Sequence, residues 1–215
     1  PLKNYKMNKR IMITGASGAL GAAVAKSAAQ KGANLILHFN SNSAKLEKLK
    51  NELCKEYDIK IDLMQANFLK NEELSAMCDT IEKDLGSIDY LINTQAITGS
   101  LSRASKLSNE EIEQVTQVNY KATKYVCERL ANLIKDCVLF TGSVGEDAQF
   151  PGSASYVASK RALRAFARNF ATKVYEKNTR CIYYIPGIID GGMADKLDDS
   201  QTKASMMMAG QKQLI

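Results

Sequence analysis

The chain has one histidine, three prolines and no Cys-x-x-Cys pair, and each shortage removes a class of chemistry. With His38 alone, neither a Ser-His-Asp triad nor a multi-histidine metal centre can be assembled, so no metal site is expected. His38 itself is expected near a strand end, as a packing or pocket residue. The five cysteines, Cys54, Cys78, Cys127, Cys137 and Cys181, fall mostly within periodic apolar stretches. That pattern suits buried, reduced thiols better than a disulfide framework or a zinc site. No apolar run approaches the ~20 residues that cross a bilayer. The basic stretch 1–10 leads into Ile11-Met12-Ile13, which Thr14-Gly15 ends at once, a poor signal peptide; cytoplasmic residence is expected. No repeat, low-complexity tract or Pro/Gly-rich linker marks a second domain. The lysines are scattered without interleaved aromatics, which argues against nucleic-acid and membrane partners.

What is present describes an ordinary globular chain. Its 215 residues, 45% apolar and 24% charged, are enough for one domain with a sizeable core. A formal net charge of +6 is modest and compatible with anionic ligands such as dinucleotides or acyl-phosphopantetheine carriers. Short apolar runs at 10–14, 34–39, 59–66, 88–92, 137–141 and 181–185 read as strands. Between them, helical patterns cover 19–31, 44–57, 72–85, 109–134 and 154–177, with Ser108 and Glu111 as a capping box. Continuous apolar strands alternating with helices predict an α/β chain, a three-layer α/β/α arrangement around a doubly wound parallel sheet.

The first strand runs into Thr14-Gly15-Ala16-Ser17-Gly18-Ala19-Leu20-Gly21, which opens a helix. Glycines let a backbone approach a pyrophosphate, and the helix start offers unpaired N–H groups and partial positive charge. The same loop could be a tight strand-to-helix turn without a ligand. The second strand is followed by Asn40, Ser41, Asn42 and Ser43, polar and uncharged, with Lys45 nearby. Without a carboxylate to repel a 2′-phosphate, NADP(H) is favoured over NAD(H).

Tyr156 and Lys160 lie four apart on one helical face. A nearby ammonium favours tyrosinate, and bringing a phenol from near ~10 to neutrality takes about 4 kcal/mol. Such a tyrosine can exchange a proton with a carbonyl or alcohol oxygen. The spacing also occurs at Tyr5/Lys9 and Tyr120/Lys124. Only Tyr156 follows a strand that ends in a serine: Ser143, thirteen residues upstream, sits where ligands bind in open parallel sheets. Ser143 could hold a substrate oxygen beside the phenol, or be a turn serine bonding its own backbone.

Together with Asn93 after the fourth strand, Asn119 in Val118-Asn119-Tyr120, and Pro186-Gly187-Ile188-Ile189 after the sixth, these residues resemble the short-chain dehydrogenase/reductase family. The likeness is to its compact branch, which includes the 3-oxoacyl-carrier-protein reductases, and it covers nearly the whole chain. It implies a single-domain Rossmann-type fold over 1–215, with 188–210 a substrate lid in which Met206, Met207 and Met208 could meet an apolar substrate. It implies reduction of a carbonyl, such as a 3-oxoacyl thioester of fatty acid biosynthesis, by hydride from NADPH. The implied acid/base is Tyr156, with Lys160 lowering its pKa and binding the nicotinamide ribose. Ser143 would orient the carbonyl and Asn119 would help hold a proton-relay water. Implied cofactor contacts are Gly15, Ser17, Gly18, Leu20, Gly21, Asn40, Ser41, Asn93 and Ala96, with Asn67 and Phe68 near the adenine and Pro186, Gly187 and Ile189 at the nicotinamide. A homodimer or homotetramer through the fourth and fifth helices is implied as well.

Four departures from the family pattern stand out. Glycines at 15, 18 and 21 follow the extended, sugar-nucleotide branch, where compact members place the middle glycine at Ala19. The usual Asn-Asn-Ala-Gly is Asn93-Thr94-Gln95-Ala96, the Asp after strand three is Asn67, and the threonine after Pro-Gly is replaced near Asp190-Gly191-Gly192. The chain begins at Pro1, and only 28 residues from Ile188 to Ile215 remain where the family continues through a lid, a helix and a seventh strand. It is therefore either an unusually short member or part of a longer one. An alcohol or sugar-nucleotide dehydrogenase or epimerase, and a cofactor-binding regulatory protein with weak turnover, remain alternative functions.

Overall fold

The computed structural model describes residues 7–100, 102–147, 153–191, 193, 195 and 206. Six strands form one sheet: β1 (Arg10–Thr14), β2 (Asn34–Phe39), β3 (Ile61–Gln65), β4 (Ile88–Asn93), β5 (Ile134–Thr141) and β6 (Arg180–Tyr184). Their order is β3-β2-β1-β4-β5-β6, with every pairing parallel. The order reverses between β1 and β4, which opens a crevice at the carboxyl ends of those strands, the usual binding place in such sheets.

The strand sequences dictate two cores through their two-residue period. In β1, Ile11 and Ile13 point to one face and Met12 to the other; Leu35 and Leu37 against Ile36 repeat the split in β2. The first face is covered by α1 (Ala19–Gln30) and α2 (Ser43–Glu56), through Ala25, Ala28, Ala29, Leu46, Leu49 and Leu53. The opposite face is covered by α3 (Asn71–Thr80), α5 (Ala122–Leu130) and α6 (Ala154–Tyr175), with α4 (Asn109–Thr116) packed beside α6. Helix α6 buries Leu163, Phe166, Ala167, Phe170 and Val174, a stripe at helical spacing that sets its Tyr156 end over β5 and β6. Three aromatic contacts anchor it: Phe166 and Phe170 each meet Phe140 of β5 edge-on, with centroids 5.8 and 6.1 Å away, and lie 5.4 Å from each other.

The element borders differ from the sequence reading in ways that have local causes. The helix expected over 109–134 is three pieces: α4, a π-helical segment Gln117–Lys121, and α5, with β5 starting at Ile134. The widened turn carries Asn119, whose side chain is engaged outside its own helix, as described below. The helix expected over 72–85 is likewise α3 followed by a π turn, Ile81–Leu85, closed where the Gly86 N–H donates to the Ile81 carbonyl at φ 69°. Ser108 accepts from the Glu111 N–H, as its capping position predicts. Cys78, Cys127 and Cys137 are buried and Cys181 partly so, but Cys54 on the outer face of α2 is exposed. Of the expected lid over 188–210, residues 192, 194, 196–205 and 207–210, with Met207 and Met208, lie outside the described residues. Among the described residues, no helix is long and apolar enough to cross a membrane.

Phe170 is 2% exposed at the centre of the aromatic cluster. Phe170→Ala should cost about 3–5 kcal/mol of folding stability, read as a lower urea midpoint, because the cavity cannot be refilled by two neighbouring rings.

Candidate active site

The crevice is built from the strand ends inward. After β1 the chain turns through Gly15 at φ +72°, and a Cβ there would lie 2.6 Å from the Gln95 backbone. Gly21 has no room either: a Cβ would sit 2.5 Å from the Gly15 carbonyl and 2.8 Å from Thr94 Oγ1. Gly18 is the N-cap of α1, and no side chain caps that end. The first N–H groups of α1 therefore keep their hydrogen-bonding capacity, beside Ser17 and Leu20 at the crevice rim.

The sole histidine holds this loop in place. The Gly15 N–H donates to His38 Nδ1 at 3.1 Å, which leaves Nε2 to donate to the Ala66 carbonyl at 3.0 Å. The imidazole stacks on Phe68 with centroids 4.2 Å apart. Burial pushes its pKa down to about 4. His38 thus joins the ends of β1, β2 and β3 as a neutral ring. The Phe68 side chain is committed to that stack, and its carbonyl accepts from Gln117 Nε2 at 3.2 Å, so Phe68 is a buried packing residue. Asn67 Oδ1 accepts from the Leu69 N–H, while Asn40 and Ser41 stand exposed beyond β2.

Two asparagines singled out in the sequence face inward. Asn93 donates to the Leu139 carbonyl at 3.2 Å and contacts Cys127 Sγ, tying β4 to β5 and α5. Asn119 accepts from the Ile97 N–H at 2.8 Å, and its amide donates to the Ile97 carbonyl at 2.9 Å and to Ser159 Oγ at 3.0 Å. Ser159 in turn donates to the Tyr156 carbonyl at 2.6 Å. Both side chains position the framework from behind, and both Asn119 amide hydrogens are used there. Gln95, the departure in the fourth-strand motif, also points inward: it bridges Thr14 and Thr123. Ala96 follows it, partly buried.

The reactive groups converge at the ends of β5 and β6. The Ser143 side chain lies close enough to the Tyr156 phenol to favour its ionised form. Beneath them, the Lys160 ammonium is buried, donates to the Thr141 carbonyl at 2.8 Å and lies 5.7 Å from the Tyr156 ring centroid. Burial pushes Lys160 down to about 8. The protein groups alone also raise the Tyr156 phenol: burial leads, the Ser143 side chain opposes it, and the Glu146 charge adds to it. This differs from the expectation that Lys160 lowers the phenol, because burial of the phenol is the largest influence on it. Pro186, buried, accepts from the Val144 N–H through its carbonyl, with Gly187 and Ile189 partly buried beyond it. Gly191 then passes α1, where its Cβ would lie 3.7 Å from that of Ala19.

The other Tyr/Lys pairs have separate duties. Tyr120 packs edge-on to Phe166 and Lys124 pairs with Glu128 at 2.7 Å, while Lys9 pairs with Asp89 and Asp136; Tyr5 lies outside the described residues. Sequence reasoning missed Glu146 and Tyr183. Glu146 is fully buried and accepts from the Ser143 N–H at 2.8 Å and the Tyr183 hydroxyl at 2.7 Å. A Ser-x-x-Glu capping spacing was visible at 143–146, but nothing in the sequence placed β6 against it.

A short chain dehydrogenase family model matches residues 9–202. The chain belongs to that family. It is 32% identical over 198 residues to a 3-oxoacyl-[acyl-carrier-protein] reductase FabG of Rickettsia bellii, covering 90% of this chain and 78% of that protein. It is 29% identical over 203 residues to Nodulation protein G of a Rhizobium species, covering 92% and 80%. Among solved structures, a dehydrogenase/reductase from Sinorhizobium meliloti superposes with a TM-score of 0.85 at 22% identity, covering 96% of this chain and 88% of that one. The angucycline C-6 ketoreductase LanV with bound NADP does so with a TM-score of 0.83 at 18% identity, covering 93% and 80%. These two share the fold. As a short-chain dehydrogenase, the chain is an oxidoreductase of a family that binds NAD(P).

His38 makes the fold acid-sensitive in a defined window. The unfolded imidazole takes a proton near pH 6.5 and the folded one only near 4, so its contribution to stability is complete above 6.5 and is lost as pH falls. Between pH 7.5 and 5 this loss should reach about 2 kcal/mol, measured by urea unfolding, and should be absent in His38→Asn.

Proposed function

We propose that this short-chain dehydrogenase reduces a carbonyl to a hydroxyl with NADPH, and that its substrate class is the 3-oxoacyl thioesters. The observation that carries the reading is the Tyr156 ring set 5.7 Å from the buried Lys160 ammonium, beside Ser143, at the carboxyl ends of the strands. The residues fit a dinucleotide. The α1 N-terminus is uncapped behind a loop where side chains at 15 and 21 would collide with backbone, and Lys160 has donors beyond the one used by Thr141. Thr141 Oγ1 and Ser155 Oγ are buried without hydrogen-bond partners among the described residues.

When bound, the nicotinamide supplies a hydride to the substrate carbon. Ser143 orients the carbonyl oxygen by a hydrogen bond, and Tyr156 donates its phenolic proton to that oxygen. Lys160 binds the nicotinamide ribose through its ammonium, and its charge stabilises the phenolate left on Tyr156. Asn119 and Ser159 hold the backbone of Tyr156 at its carbonyl, so the phenol meets the substrate in a fixed orientation. Gly15, Ser17, Gly18, Leu20 and Gly21 hold the phosphates. Asn40 and Ser41 take the 2′-phosphate, since residues 38–46 include no carboxylate. Pro186, Gly187 and Ile189 flank the nicotinamide, Ala96 lines the cofactor channel, and Asn67 lies near the adenine. The thioester class is supported by the similarity to FabG and by the net charge of +6, which suits an acidic carrier. The NADP bound to LanV supports the cofactor choice.

Tyr156→Phe should lower turnover of acetoacetyl thioesters with NADPH by about 10²- to 10⁴-fold, while the NADPH Kd from fluorescence titration stays within a few-fold. Unchanged turnover would remove Tyr156 as the proton donor, and tighter binding of NADH than NADPH would reverse the cofactor assignment. The NADPH Kd should be flat below pH 8 and weaken above it, because Lys160 loses its proton there. Lys160→Met should abolish that alkaline weakening.

A further inference from the structure

The turn after β5 buries a carboxylate that its geometry does not require. Ser143 already caps the turn by accepting from the Gly145 N–H at 3.1 Å. Glu146 nonetheless stands behind it, fully buried, with Oε1 accepting from the Ser143 N–H and from the Tyr183 hydroxyl. Its Oε2 has no hydrogen bond, and the nearest guanidinium, Arg164, is 3.8 Å away and also reaches Asp147 at 3.5 Å. Arg161 holds the Glu146 main-chain carbonyl, through Nε at 2.8 Å. The Tyr183 hydroxyl lies 2.9 Å from the Lys160 carbonyl, so one phenol links the carboxylate to the helix turn that carries the site lysine. The packing closes over Gly142, where a Cβ would fall 2.4 Å from the Tyr183 ring and 2.6 Å from Glu146 Oε1. A buried, incompletely paired carboxylate is expensive, and a neutral side chain could close the same turn.

We propose that Glu146 is a positioning residue of the active site: its carboxylate fixes the Ser143 backbone against β6 and supplies the negative charge that balances the buried Lys160 ammonium. The proposal rests on the reductase reading for its purpose, but not for its test. The charged and titratable groups that face Glu146 are Tyr156, Lys160, Arg161 and Arg164 from α6, Tyr183 from β6 and Asp147 from its own turn. Of these, Lys160 and Tyr156 both feel its charge in the direction that keeps them protonated. Arg164 sits 5.9 Å over the Tyr183 ring and reaches Glu146 Oε2 at 3.8 Å without a hydrogen bond to it.

The test follows the Lys160 side chain by NMR on full-length protein with ¹³Cε-lysine, its signal assigned by loss in Lys160→Met. Glu146→Gln keeps the shape and removes the charge; Lys160 should then titrate about one pH unit lower than its value of about 8. Glu146→Asp keeps the charge one methylene back, and its Lys160 midpoint should stay nearer the wild type. In turnover assays, the alkaline limb of carbonyl reduction should move to lower pH in Glu146→Gln, since Tyr156 also loses a neighbouring charge that favours the neutral phenol. An unchanged Lys160 midpoint in folded Glu146→Gln, or an equal drop in Glu146→Asp, would overturn the proposal. A wild-type protein that reduces no carbonyl, yet shows the Lys160 shift, would overturn the reductase reading and leave the role of Glu146 standing.

Discussion

An ammonium group enclosed in protein is the constraint on which the site depends. Lys160 reaches the strand ends from within α6, and its hydrogen bond to the Thr141 carbonyl holds it under Tyr156. That location is possible because α6 buries a long apolar stripe against the sheet, which fixes the helix rotation and so the direction of residue 160. The same burial makes the ammonium acidic and the phenol reluctant to ionise. Both groups are held away from their ordinary values by the cost of removing charge from water. Chemistry at this end of the sheet begins from that imbalance.

Much of this was legible in the residues. Periodicity located all six strands and the sheet class, because strands covered on both faces are written as near-continuous apolar runs. The glycine loop and the Ser143, Tyr156 and Lys160 set were legible because each sits at the end of a recognisable strand or the start of a helix. What was hidden depends on contacts between distant segments. Nothing local indicates that Asn93 and Asn119 turn their amides inward, that Gln95 spans Thr14 to Thr123, or that Tyr183 meets Glu146. The widened turn at 117–121 was equally invisible, since its sequence continues the helical pattern without a break.

The altered motif after β4 shows how a departure from family pattern can leave a framework intact. Thr94 donates to the Thr14 carbonyl at 2.7 Å and Gln95 bridges two threonines, so the loop is tied down on the side away from the crevice. The substituted groups spend their polarity on the interior. His38 does the same at the neighbouring strand end, where a histidine could have been read as a ligand or an acid/base group. Its ring is instead a neutral clamp between three strands.

The contact between Gly15 and the Gln95 backbone also limits how the site can be redesigned. Two loops from opposite sides of the sheet reversal share one surface with no space for an added carbon. A change of dinucleotide preference engineered into the first loop will therefore shift the second, and their effects will not add. Grafts that move both segments as one cassette respect that seam; exchanges of either alone cut across it.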